Sequence, residues 1–115
     1  MKVSFEGIGE NIVTFYNNKS SAAAAGMPVK MSGCREAAKC GDGERFFGVA
    51  AAGDSEFAAV QTKGYAELPY SGSEPVVGFG KLAADGSGGV KTAETGGEFL
   101  IVDVDATNKL VGFML

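Results

Sequence analysis

The sequence predicts an all-β protein, a small antiparallel barrel or sandwich, and three observations predict it. Apolar and polar residues alternate along most of the chain instead of recurring at helical spacing. Clusters of Gly, Asp, Asn and Ser interrupt that alternation at short, regular intervals, as the turns of a small β fold do. Eighteen of the 115 residues are glycine while 45% of the chain is hydrophobic, so the glycine marks turns rather than disorder. The length suits a single domain over residues 1–115 with one core.

Taken in order, Val3, Phe5, Ile8 and Ile12 make an apolar start interrupted by Gly7 and Gly9. This is either an ordinary first strand or an arm, residues 1–9, that orders against a neighbour by adding a strand to its sheet. The first strand candidate covers 10–16 and stops at the turn Asn17-Asn18-Lys19-Ser20. Ser20 to Ala25 has helical propensity but is too short to stand alone, so a single turn or a loop is expected. Strands at 27–32 and 36–40 precede the Gly41-Asp42-Gly43 turn, and a strand at 46–51 runs into Gly53-Asp54-Ser55. In a long candidate at 57–68, Ala58, Val60 and Thr62 share one face. Ser71 to Pro75 breaks the chain before a strand at 76–83, and Asp85 to Gly89 breaks it before one at 90–93. At 98–104, Leu100, Val102 and Val104 share a face, with Asp103 and Asp105 on the other. Asp105 to Lys109 is a hairpin connection to a last strand at 109–115, where Val111, Phe113 and Leu115 fall together.

Sliding the chain over itself aligns its halves at an offset of about 52 residues. Gly26 then falls on Gly78, Lys39 on Lys91 and Phe47 on Phe99. Such a repeat predicts two similar β units about a pseudo-twofold axis.

Charge and composition narrow the function. Ten basic against fourteen acidic residues give a net charge of -4, with every lysine isolated, which argues against a nucleic-acid partner. The longest small-apolar run, Gly48 to Gly53, is too short to span a membrane. The N-terminus carries Lys2, Glu6 and Glu10 among its apolar residues, unlike a signal peptide, so synthesis in a cytoplasm is expected. No histidine is present, which removes the commonest general base and metal ligand. Cys34 and Cys40 fit no zinc or redox spacing; they are expected either to stay reduced or to pair across a hairpin.

The remaining motifs read as structure. Gly78-Phe79-Gly80-Lys81 lacks the glycine and the Ser/Thr of a phosphate loop, since Pro75 and Leu82 stand there. Asp103, Asp105 and Asn108, like Asp85-Gly86-Ser87, lack the ligand number of a calcium loop and suit turns. No pair of carboxylates is set across a cleft by spacing, and Ser71 and Ser73 have no base nearby. No catalytic residue, cofactor or metal is therefore predicted. Tyr65, Pro69 and Tyr70 form the most distinctive aromatic cluster, either core aromatics at a strand end or an exposed partner surface.

Several runs carry a resemblance: Gly26-Met27-Pro28-Val29-Lys30, Phe46-Phe47-Gly48-Val49-Ala50, Val60-Gln61-Thr62-Lys63-Gly64-Tyr65, and Gly78-Phe79-Gly80-Lys81-Leu82 with the Val102-Asp103-Val104 hairpin. The chain, from about Phe5 to Leu115, resembles the small head decoration, or cement, proteins of tailed phages and prophages. The resemblance implies a compact β fold, homo-oligomers (trimers), the major capsid protein as partner, a place on the outer capsid surface, and no catalysis. Partner-binding candidates are Val3, Phe5, Ile8, Tyr65 and Tyr70. A different class of function, a ligand- or carbohydrate-binding β module of a phage tail or cell surface, would need Tyr65 and Tyr70 exposed over a groove.

Overall fold

A computed structural model describes residues 11–115. The arm candidates Val3, Phe5 and Ile8 lie outside the described residues. Among those described, the chain forms ten strands and no helix: β1 (Asn11–Asn17), β2 (Pro28–Gly33), β3 (Glu36–Lys39), β4 (Gly48–Gly53), β5 (Phe57–Lys63), β6 (Tyr65–Ser71), β7 (Gly78–Ala84), β8 (Val90–Thr92), β9 (Gly97–Asp105) and β10 (Leu110–Met114). They close into two five-stranded barrels, in the orders β1-β3-β2-β4-β5 and β10-β6-β8-β7-β9. The all-β expectation holds, and the barrel alternative is the one realised, twice. Pairing is not wholly antiparallel, because β1 runs parallel to β3 and β6 runs parallel to β8.

The long candidate strand at 57–68 is two strands in two barrels. Gly64 sits between them with φ of +100°, a conformation glycine adopts without the steric penalty a Cβ brings. Alternation cannot reveal such a break, because apolar residues resume on schedule beyond it. Ser20 to Ala25 is a loop, with Ala23 buried at 3% exposure.

The two halves repeat in backbone register, at an offset of 53 for β1, β2, β3 and β5 and of 51 for β4, on either side of the 52 that the identities gave. In β1 and β5, Val13 pairs with Val60 and Phe15 with Ala58; 53 residues on, Ala66 pairs with Phe113 and Leu68 with Val111. The parallel pair Asn17/Ala37 becomes Tyr70/Val90, and the antiparallel pair Val29/Lys39 becomes Leu82/Thr92. One residue matters, because a slip of one turns every side chain to the other face. The identity Lys39/Lys91 is thus out of step with the fold. The closing hairpins repeat too, at a different spacing. Asp54 Oδ1 accepts from the backbone N–H groups of Glu56 and Phe57, and Asp105 Oδ1 from those of Thr107 and Asn108. These hydrogen bonds hold both carboxyls below the usual aspartate range; at Asp105 the Asn108 side-chain amide contributes most, and at Asp54 the Phe57 N–H does.

Two cores form where the length suggested one. The first barrel is filled by Val29, Ala37, Ala50, Ala58 and Val60, with Ala23 from the loop and Phe15 and Phe47 against them. The second is filled by larger groups, among them Leu68, Tyr70, Leu82, Val90, Ile101, Val111 and Phe113. At matched positions Val29 becomes Leu82, Ala37 becomes Val90, Ala58 becomes Val111 and Val60 becomes Phe113. Each exchange buries more apolar area in the second barrel, at ~25 cal/mol per Å². Backbone amides of β7, β9 and β10 are accordingly expected to exchange hydrogen more slowly than those of β2, β4 and β5. Equal protection in the two sets, measured by amide exchange, would contradict this.

In β9 the expected face of Leu100, Val102 and Val104 is broken by a bulge opposite Gly112/Phe113. Ile101 then faces inward beside Phe113, Val104 beside Val111, and Leu100 points out. The insertion of one residue re-aims the strand. The last strand agrees with its pattern: Val111 and Phe113 are fully buried, and Leu115 packs on the same core.

The segment from Cys40 to Phe47 joins the barrels. Its adjacent phenylalanines point opposite ways, as neighbours in extended chain do. Phe47 meets Phe15 edge-on in the first barrel, with ring centroids 5.6 Å apart. Phe46 enters the second, stacked 5.0 Å from Phe99 and edge-on 5.9 Å from Phe113. Backbone bonds secure the crossing: Gly43 N–H donates to Ala84 C=O at 2.8 Å, and Ala84 N–H to Glu44 C=O at 2.9 Å. Asp42 pairs with Lys91 at 2.7 Å. Within the segment, Glu44 takes Lys30 Nζ at 2.8 Å and the Gly41 N–H at 2.6 Å. The Lys30 bond, then the Gly41 bond, holds the Glu44 carboxyl below its ordinary range, and the same bond raises Lys30.

Candidate functional site: the outer faces of the two barrels

Closing a sheet leaves no strand edge to offer, so what a barrel presents to a partner is its outer face and its loops. Each barrel here carries a distinct exposed feature.

On the first barrel the feature is an aromatic pair. Tyr16 and Phe57 face each other across β1 and β5, with outward-pointing rings stacked at 5.8 Å and 25°. They are 55% and 45% exposed, well above what a core aromatic shows. Two open grooves meet at Tyr16. One, of about 540 Å³, runs past Asn18, Lys19, Glu36 and Ser55; the other, of about 400 Å³, passes Val13, Thr14 and Arg35. Asn18 and Glu36 are already engaged, for Asn18 Nδ2 donates to Glu36 Oε1 at 3.0 Å and its Oδ1 accepts from Ser20 and Ser21. Arg35, held with φ of 60°, lines the second groove. The pair therefore stands as a flat apolar step between polar walls.

On the second barrel the feature is a row. Side chains directly opposite on neighbouring strands share a face. Tyr65 on β6 is opposite Met114 on β10, Met114 is opposite Leu100 on β9, and Leu100 is opposite Phe79 on β7. All four point outward, and the row crosses four strands. Phe79 is 77% exposed, and Val76 and Val77 before it are 78% and 62% exposed. At the far end the Tyr65 ring lies across Gly112, where a Cβ would collide with its hydroxyl, and that hydroxyl donates to Glu67 Oε2 at 3.2 Å.

The predicted site residues divide. Tyr65 does reach the outer face. Tyr70 does not: it is 5% exposed and belongs to the second core. Five residues apart on one strand, the two tyrosines point to opposite faces and cannot line one groove. Lys109 holds its ammonium 5.6 Å from the centre of the Tyr70 ring, and burial, with the Glu74 and Asp105 carboxylates adding to it, pushes the Tyr70 phenol upward. Tyr16, Phe57, Phe79 and Leu100 were missed by sequence reasoning. Their signal was phase: Tyr16, Phe57 and Leu100 each stand beside a buried residue, but the turn-based reading did not assign inside and outside.

The remaining motifs resolve as turns and strand. Asp85 Oδ1 accepts from Ser87 N–H at 2.7 Å and Gly89 N–H at 3.0 Å, and Gly78 to Lys81 lies within β7. Among the described residues, no group of three or more His, Cys, Asp or Glu side chains is placed to hold a metal. Cys34 is exposed and Cys40 buried, and both are free thiols. Burial pushes the Cys40 thiol up to about 11, so it stays protonated and unreactive near neutral pH.

No protein-family model matches this chain, and no curated protein matches it.

Proposed function

We propose that this protein is a structural component of a virion, decorating and stabilising the outer face of a tailed-phage or prophage capsid, with the major capsid protein as its partner and a homotrimer as its assembled form. The observation that supports this reading best is the pair of exposed apolar features on a doubled, edge-free β scaffold. A monomer seldom leaves contiguous apolar surface uncovered unless a partner covers it. Two such faces suit a molecule that must touch more than one capsomer, because several weak contacts made at once add through avidity. The sequence resemblance points the same way. The test is attachment: purified protein mixed with expanded heads of the parent phage should sediment with them, and Phe79→Ser with Leu100→Ser should reduce that binding at least tenfold. Unchanged binding would remove the second barrel from the contact.

The stacked Tyr16–Phe57 step favours a second reading, a carbohydrate-binding module. Flat sugar faces pack on exposed aromatic rings while polar walls meet the hydroxyls. It replaces the Tyr65–Tyr70 site, which the burial of Tyr70 rules out. Glycan-array binding that disappears in Tyr16→Ala would support it, and an array with no signal would discard it.

A further inference from the structure

We propose that the groove beside Arg35 on the first barrel takes an acidic sugar, with the carboxylate on the guanidinium and the ring on the aromatic step. The inference rests on the carbohydrate reading of that step and names its ligand class. The groove, of about 400 Å³, is lined by Val13, Thr14, Phe15, Tyr16, Arg35 and Phe57. Arg35 is the only charged residue among them, and no ion pair among the described residues engages it. The neighbouring groove differs, because Lys19 there shares the wall with Glu36 and Glu56. One cation among apolar groups and hydroxyls matches a ligand with a single anionic group on a largely flat body.

The fold holds Arg35 at this groove against a local preference. The residue closes the turn between β2 and β3, next to a register shift at Met31/Gly33, and its φ is 60°. Glycine is the usual residue in that conformation. At the matched position, 53 residues on, the second barrel has it, as Gly88 with φ of 90°. The first barrel carries an arginine there instead, and backbone strain of this kind gathers where a ligand is held. Tyr16 N–H donates to Arg35 C=O at 2.8 Å, so the strained residue is tied to the strand that bears the aromatic step. A guanidinium grips a carboxylate through two parallel N–H donors, while the apolar face of a sugar packs on the exposed Tyr16 and Phe57 rings. A nucleic acid is a poorer match, because a single cation in a chain of net charge -4 releases few counterions.

Isothermal titration with trigalacturonic acid and with sialyllactose tests this, each run beside its neutral methyl ester and beside adenosine monophosphate. One acidic sugar or the other, which separates a uronic from a sialic ligand, should bind about tenfold more tightly than its ester and weaken as salt is raised. Arg35→Gly should erase that preference without lowering the melting temperature by more than a few degrees, because glycine suits the turn. Arg35→Gln, which keeps the stem and removes the charge, should erase it as well. Tyr16→Ala should weaken acid and ester alike. Equal affinity for acid and ester in the parent overturns the assignment and leaves the carbohydrate reading standing, whereas no binding of any sugar or ester overturns both. A preference that survives both Arg35 variants, or adenosine monophosphate bound as tightly as the better acid, overturns the assignment too.

Discussion

Phe46→Ala is expected to cost about 3–5 kcal/mol, the range for truncating a buried phenylalanine, and to lower the melting temperature by on the order of 10–20 °C. Phe46 is 2% exposed and makes two ring contacts in the second barrel while its backbone belongs to the first half. Its removal empties a site walled by Phe99 and Phe113, which also touch one another at 5.2 Å and cannot both collapse inward. The loss should also change the character of unfolding. With the crossing segment unanchored, the alanine-rich first barrel should melt ahead of the second, giving two transitions by calorimetry where the parent gives one. Phe47→Ala leaves the crossing in place and should keep a single transition. A cooperative Phe46→Ala variant within 1 kcal/mol of the parent would show that Phe46 does not join the barrels.

Asn17 carries the second large effect. It is a polar residue 4% exposed at the position where the other barrel has Tyr70, and its amide is fully used. Nδ2 donates to Ala23 C=O at 3.0 Å and to Asp54 C=O at 2.9 Å, and Oδ1 accepts from Ala23 N–H at 2.9 Å. One side chain thereby fastens the loop after β1 and the β4–β5 turn to the barrel wall. Asn17→Ala strands three backbone groups, two of them carbonyls, and should cost about 3–5 kcal/mol at roughly 1–3 for each unsatisfied group. Asn17→Asp is the sharper test because the shape is kept. A carboxylate there faces two carbonyl oxygens, so its folded-state pKa is raised above the unfolded value near ~3.9. A raised pKa means that the variant matches the parent best below about pH 4 and loses stability against it as pH rises. Denaturation at pH 4 and pH 7 measures this; a deficit that does not grow with pH contradicts the hydrogen-bond assignment.

How much of this was legible in the sequence depended on the kind of information each feature carries. Strand positions were legible, because alternation and turn residues are local. Val111, Phe113 and Leu115 were placed together correctly for that reason. The doubling was legible in outline, but its register was not, since identities such as Lys39 and Lys91 follow composition while equivalence follows pairing. Gly64 was read as one glycine within a strand, because nothing local says that the next residue joins a different barrel. The bulge in β9 was hidden likewise: Leu100, Val102 and Val104 alternate, but the extra residue brings Ile101 inside.

The candidate surfaces were the least legible part. An outward aromatic and an inward one look alike until pairing fixes the phase of the strand. Tyr70 was singled out and proved to be core, while Tyr16 and Phe57 become a platform only once β1 and β5 are side by side. The row from Tyr65 to Phe79 exists only through register, its members lying on four strands drawn from fifty residues of chain.

In the proposed role this scaffold covers a capsid shell with its outer faces. Electron cryomicroscopy of virions of the parent phage tests it most directly. That role predicts ordered density on the outer capsid surface fitted by a two-barrel body about 40 × 30 × 22 Å, repeated around local symmetry axes, with the Phe79–Leu100 face or the Tyr16–Phe57 face against the capsid protein. A shell bare of such density, in virions that contain the protein at a tail or not at all, would contradict it.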